Sequence, residues 1–189
     1  MIDKWIITIS GFTQDLDKET GIELLWKDIR GYTCHDSCVS LPLTWNSDWE
    51  AISKFIHRNS GENPTIFMVA YSWGCGRGFV QLSKHLRKFN YKVKHAILCD
   101  PVYKPKLWAF SWVALINIKK IDVHENVERV TWFRQKENLP KGHDLNIIGE
   151  NTVADEPIVL KLKHADMDNS PEFHNKVKEI MDKYFTYFD

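Results

Sequence analysis

The stretch MVAYSWGCGRGF, Met68 to Phe79, sets a serine between an apolar run and three glycines at 74, 76 and 78. Upstream, TIFMVAY (65–71) is apolar on both faces and rich in residues that favour extended backbone, the pattern of a strand buried from both sides. Downstream, FVQLSKHLRKF places apolar residues at 79, 80, 82, 86 and 89, which is one face of a helix. Ser72 therefore falls in a tight strand-to-helix turn.

Working outward, strand-like runs alternate with helical periodicity along nearly the whole chain. WIITIS (5–10) is a strand, followed by a polar helical stretch around Lys18 to Ile29 and a second strand within CVSLPL. Asn46 or Ser47 is placed to cap a helix, DWEAISKFIHR, with Glu50 three residues beyond Ser47 as in a capping box. After the serine turn and its helix come VKHAILC (93–99), RVTWF (129–133), PIVLKL (157–162) and a last helix from about Ser170 to Phe185. Strands separated by helices predict a single α/β domain over 1–189, a three-layer sandwich on a mainly parallel sheet of about six strands. One segment, VYKPKLWAFSWVALINIKK (102–120), does not fit the alternation and reads as an insertion, either a helix on the sheet or a flap.

The 25 basic and 25 acidic side chains cancel and form no long run of one sign, so the electrostatic footprint of a nucleic-acid binder is missing. No window approaches the roughly 20 apolar residues of a membrane span. Asp3 and Lys4 interrupt the start in a way that a signal peptide does not, and Cys34, Cys38, Cys75 and Cys99 are too irregular for a disulfide framework. A soluble, cytoplasmic protein without stable membrane insertion is the expectation.

Ala70-Tyr71-Ser72-Trp73-Gly74 resembles the nucleophile elbow of the α/β-hydrolase family, with Ala in place of the first Gly, a form that several small lipases of the family carry. A strained turn of this kind lifts the serine hydroxyl out at the carboxyl end of the sheet, and bulky side chains two before or two after would collide with neighbouring backbone. Gly76 and Gly78 would let the following helix pack closely on a strand. The resemblance covers nearly the whole chain in element order, and the short chain is similar to the minimal lipases and cutinases, which implies an open site.

A serine hydroxyl needs a histidine to take its proton and a carboxylate to hold that histidine. The family runs Ser, acid, His along the chain, and PIVLKL is followed at once by Lys163-His164-Ala165-Asp166. The resemblance thus makes His164 the general base. For the acid it implies Asp100, in Ala96-Ile97-Leu98-Cys99-Asp100-Pro101, as in pancreatic-type lipases, with Pro101 holding Asp100 extended. The family's commoner place, one strand later, offers Glu137, with Asp144 behind it. The oxyanion-hole N–H groups are expected from Trp73 and from Phe12, in Ile9-Ser10-Gly11-Phe12-Thr13, where Gly11 lets the backbone turn toward substrate. A strand order 2-1-3-4-5-6 would make strands 1 and 3 neighbours where the winding reverses, bringing this loop and Ser72 to one crevice.

Several features have plainer readings. Gly74-Cys75-Gly76-Arg77-Gly78 matches neither the dinucleotide fingerprint nor the Walker sequence. Cys34-His35-Asp36-Ser37-Cys38 has no second pair of ligands at useful spacing, and no metal is expected there. Trp108 and Trp112 belong either to a core helix face or to an apolar wall over the crevice that shelters an acyl chain as a substrate-binding surface. The expected activity is that of a serine hydrolase cleaving carboxylic esters, lipid or other acyl esters among them, through an acyl-enzyme and without cofactor. Its rate should fall as acid protonates His164. The alternative is a non-catalytic protein of hydrolase shape whose crevice grips a ligand or partner.

Overall fold

Apolar residues in β1 (Ile2–Ser10) point to both faces and are fully buried from Trp5 to Ile7, as a central parallel strand requires. The computed structural model describes residues 1–12, 14, 19–33, 37–105 and 119–185. After β1 come α1 (Gly21–Ile29), β2 (Cys38–Thr44), α2 (Trp49–Asn59), β3 (Ser60–Tyr71), a wide π turn (Gly74–Phe79) and α3 (Val80–Arg87). β4 (Val93–Cys99), β5 (Ile121–Val123), β6 (Arg129–Gln135), β7 (Leu145–Ile147), β8 (Val153–Ala154) and β9 (Ile158–Leu160) follow. A 3₁₀ turn (His164–Asn169) and α4 (Pro171–Phe185) complete the described chain.

The fold is α/β. Its main sheet has seven strands in the order β2-β1-β3-β4-β6-β8, with β9 also on β6, and every pairing among the described residues is parallel. The last place in the sheet is shared, β8 pairing Arg129 and Val130 and β9 pairing Phe133 to Gln135, which explains seven strands where about six were expected. β5 and β7 form a separate pair. Strands of two or three residues are too short for periodicity to register, and β5, β7 and β8 escaped the sequence reading for that reason.

Helices cover both faces. Trp5, Ile7 and Ile9 meet Trp49 and Ile56 of α2 and Leu82 and Leu86 of α3, while Ile6, Phe67, Val69 and Phe133 meet Leu25 of α1 and Phe173, Val177 and Met181 of α4. Burying such side chains is worth about 1.5–3 kcal/mol each. The register sets Ala70 beside Ile9 and Leu98, and Cys99 beside Phe133, so the carboxyl ends of β1, β3, β4 and β6 arrive at one edge. The winding reverses between β1 and β3, where open α/β sheets bind ligands.

Three local expectations are corrected. α2 is capped by Asp48, whose carboxylate accepts from Ala51 N–H at 3.0 Å. Ser47 is occupied with Thr44 N–H, and Glu50 pairs with Lys54 instead of closing a capping box. α1 begins at Gly21, with Thr20 as its cap. Helical winding after Ser72 starts at Gly74, before Phe79, because the three glycines carry a π turn. Of the 102–120 segment only 102–105 and 119–120 lie within the described residues; Trp108 and Trp112 lie outside them.

Candidate active site

Ser72 has φ 54°, a left-handed backbone that costs a residue with a Cβ about 1–2 kcal/mol. The surroundings hold it there. Ser72 N–H donates to Cys99 O at 3.1 Å, and Ser72 O accepts from Cys75, Gly76 and Val102 N–H. A Cβ on Gly74 would stand 2.5 Å from Ile9 O, and one on Gly76 would stand 1.9 Å from Val102 O. The small residues are therefore what lets the turn lie flat against β1 and against the chain leaving β4.

From this turn Ser72 Oγ reaches His164 Nε2 at 2.9 Å, and His164 Nδ1 reaches Asp100 Oδ2 at 2.5 Å. An ionised carboxylate only accepts, so Nδ1 carries the imidazole proton and Nε2 is left with a lone pair toward the serine hydroxyl. Ser72 and Asp100 are 5% and 0% exposed, while the His164 side chain between them is 14% exposed, so the row is buried at its two ends and open to solvent at the imidazole. Cys75, close by, is no rival nucleophile: burial pushes its thiol pKa well up, and Sγ points back to Ala70 O at 3.1 Å.

Asp100 is not extended as the proline after it predicts; its φ is 42°. Three fixed contacts override the local preference. Asp100 N–H donates to Phe133 O at 2.9 Å, Oδ1 accepts Gln135 N–H at 3.0 Å, and Oδ2 takes the imidazole. Gly142 lies against the same carboxylate, since a Cβ there would be 2.2 Å from Asp100 Oδ1. Glu137 is exposed, and Asp144 is taken by Arg134. Asp100 therefore occupies the place beside the imidazole that the sequence left open to these two.

The backbone of His164 is pinned on both sides. Tyr71 Oη donates to His164 O at 2.6 Å, and His164 N–H donates to Asn138 Oδ1 at 2.7 Å. Burial, with the nearby Asp168 charge next, drives the Tyr71 phenol far above its usual pKa, so it remains a donor. Asn138 sits in a loop built around the buried Gln135 side chain, which donates to Asn138 O and Pro140 O and accepts from Glu137 and Asn138 N–H.

On the other flank, a Cβ at Gly11 would be 3.0 Å from Ser72 Cβ and 2.9 Å from Tyr71 Cδ1, so the loop after β1 passes directly over the serine. Gln14 shapes this loop: its Oε1 accepts Gly11 N–H at 2.9 Å and its Nε2 donates to Asp168 Oδ2 at 2.7 Å. Asp168 is 1% exposed, burial raises its pKa, and it also accepts Ile22 N–H at 3.3 Å. Phe12 leans on Trp73 at 4.3 Å between ring centroids and on Trp45 at 5.8 Å. Lys104 Nζ stands 4.9 Å over the Trp73 ring and Arg77 5.7 Å over that of Trp45, which makes the rim aromatic and cationic.

The structure thus brings together Ser72, Asp100, His164, Gly11, Phe12 and Trp73. Gln14, Tyr71, Gln135, Asn138 and Asp168 went unnoticed in the sequence, because a side chain that braces another carries no motif. Among the described residues no group of three or more His, Cys, Asp or Glu stands ready to hold a metal ion, and Cys34, His35 and Asp36 lie outside them. No described helix is long and apolar enough to cross a membrane. The chain matches no protein-family model, and no curated protein matches it either.

Proposed function

We propose that the protein is a serine hydrolase of α/β-hydrolase type that cleaves carboxylic esters through an acyl-enzyme. The observation that carries the reading is the continuous row from Ser72 Oγ through His164 to Asp100, at 2.9 and 2.5 Å. Ser72 Oγ attacks the ester carbonyl carbon while its proton passes to His164 Nε2. The tetrahedral intermediate collapses, the C–O bond to the alcohol breaks, and the alcohol leaves with the proton from Nε2. Water then attacks the acyl carbon by the same route, giving the carboxylic acid and free Ser72. Asp100 keeps the proton on Nδ1 and stabilises the imidazolium between the two transfers.

The backbone N–H groups of Phe12 and Trp73 are assigned to the developing oxyanion, on the strength of Gly11 passing over Ser72 and of Phe12 resting on Trp73. The rim of Phe12, Trp45 and Trp73 suits an acyl or aryl group of the substrate, with Lys104 and Arg77 favouring one that carries negative charge.

A fluorophosphonate probe tests the reading. Prompt labelling of Ser72, lost in Ser72→Ala and in His164→Ala, is the expected result. A folded protein that takes no label overturns it in favour of a hydrolase-shaped binding protein.

A further inference from the structure

Two basic residues stand a few steps along the chain from the row at Ser72. Arg77 comes five residues after Ser72, in the π turn, and Lys104 comes four residues after Asp100, on the chain leaving β4. The two segments are joined where Gly76 bridges to Tyr103. Both cations settle over one indole. The Arg77 guanidinium and Lys104 Nζ each lie 5.7 Å from the Trp45 ring centre, and Nζ is 4.9 Å from that of Trp73, the residue after the nucleophile. Burial first, and then the Arg77 charge, lowers the Lys104 pKa, so each cation lies in the field of the other.

Two like charges in mutual reach are unfavourable unless an anion sits between them. Arg87, Arg129 and Arg134 each hold a carboxylate, those of Glu125, Asp155 and Asp144. Arg77 is exposed and, among the described residues, holds none. Lys104 Nζ donates to Pro105 O at 2.8 Å, which keeps the ammonium over the rings. Together with Trp49, Gln81, Tyr103 and Asp122 the two cations line a cavity of about 520 Å³. That volume falls within the range of small-molecule sites, about 300–1,000 Å³. Asp122 is the acid of this wall, and Asn146 Nδ2 donates to it at 2.8 Å. Two positive charges against one negative leave the wall one unit positive, which a single anionic group balances. The planar fork of a guanidinium matches a carboxylate.

We propose that this cavity receives a carboxylate carried by the ester substrate, held by Arg77 and Lys104, so that the enzyme prefers esters with one negative charge away from the bond that breaks. The inference rests on the ester-hydrolase reading and names the class of ester on which it acts. Trp73 connects the two parts of the site: its backbone N–H is assigned to the oxyanion, and its ring carries Lys104. Arg77 and Lys104 set specificity and take no part in the proton transfers.

Two matched pairs of esters test it. Mono(4-nitrophenyl) adipate against 4-nitrophenyl hexanoate puts the charge on the acyl side, and 4-acetoxybenzoate against 4-acetoxybenzamide puts it on the alcohol side. Each kcat/KM is divided by the rate of the same ester with hydroxide, which removes intrinsic reactivity. In at least one pair the charged ester should lead by about tenfold or more at low salt, and the lead should shrink as salt is added. The pair that leads identifies the side. Arg77→Gln and Lys104→Gln should each cut that ratio about fivefold, and Arg77→Glu should bring it to one or below. A ratio near one in both pairs, with the neutral esters turned over and Ser72 labelled by the fluorophosphonate, would overturn this inference and leave the hydrolase reading standing. A lead that survives both Arg77→Gln and Lys104→Gln would overturn it too. Absence of both labelling and turnover would remove the hydrolase reading, and this inference with it. Should a variant fail to fold, the two ratios and their salt dependence on the unaltered protein decide.

Discussion

Asp100 and His164, 64 residues apart in sequence, meet at 2.5 Å, and the contact fixes which imidazole nitrogen faces Ser72. Asp100→Asn keeps the size but can present N–H to Nδ1, which favours the wrong tautomer. The expected outcome is a fall in kcat of about 10³–10⁴-fold on a p-nitrophenyl ester with little change in fold. Glu137→Gln should stay within about twofold of the parent. A larger loss in Glu137→Gln than in Asp100→Asn would reassign the acid.

Gly142 supports the same carboxylate from outside the site. A methyl group there would lie 2.2 Å from Asp100 Oδ1, so Gly142→Ala must push Asp100 away from His164. Activity should drop about tenfold or more. Gly31→Ala is the control, as nothing lies within 4 Å of its added Cβ; circular dichroism should show both variants folded.

Gln14 ties the loop over Ser72 to Asp168, which stands in the same short turn as His164. Gln14→Ala frees that loop, and kcat is expected to fall about tenfold with KM nearly constant, as for a loss felt in the transition state. Asp168→Asn retains an acceptor for the Gln14 amide while removing a buried charge. It should preserve kcat and melt no lower than the parent at neutral pH, since the raised pKa of Asp168 marks its ionised form as a burden on the folded state.

His95 governs a different pH range. Burial, then the positive charges of Arg129, Lys183 and Lys176, bring its pKa from 6.5 to about 4 against the opposing pull of Asp155. The ring donates from Nε2 to Thr131, whose hydroxyl in turn donates to Asp155 at 2.5 Å. Between about pH 6.5 and 4 the unfolded chain binds a proton that the folded one refuses, so stability falls with falling pH across that window and by no more below it. The loss due to this group is about 2–3 kcal/mol, measured as urea midpoints from pH 7 to 4. His95→Gln should flatten that part of the curve. An unchanged slope would remove His95 as its source.

The sequence made the strand-turn-helix at Ser72 and the position of Asp100 visible because each follows a long apolar strand with a sharp chemical break, and that of His164 because it comes directly after the apolar run PIVLKL, of which only Ile158–Leu160 pairs as a strand. Element order in the main sheet was legible for the same reason. Asp48 was hidden beside Ser47 and Asn46, all three able caps, and only tertiary occupation of Ser47 by Thr44 separated them. The left-handed Asp100 was hidden because proline's local bias is weaker than three fixed hydrogen bonds.

β9, with three residues on the border of the sheet, is a slender arm for the imidazole that follows it. Most of the grip on His164 comes instead from Tyr71 and Asn138, two hydrogen bonds made by neighbours. Segments so lightly tethered peel away at free energies well short of global unfolding. Warming should therefore silence the molecule before it melts, with turnover fading while the spectroscopic signature of the sheet is still intact.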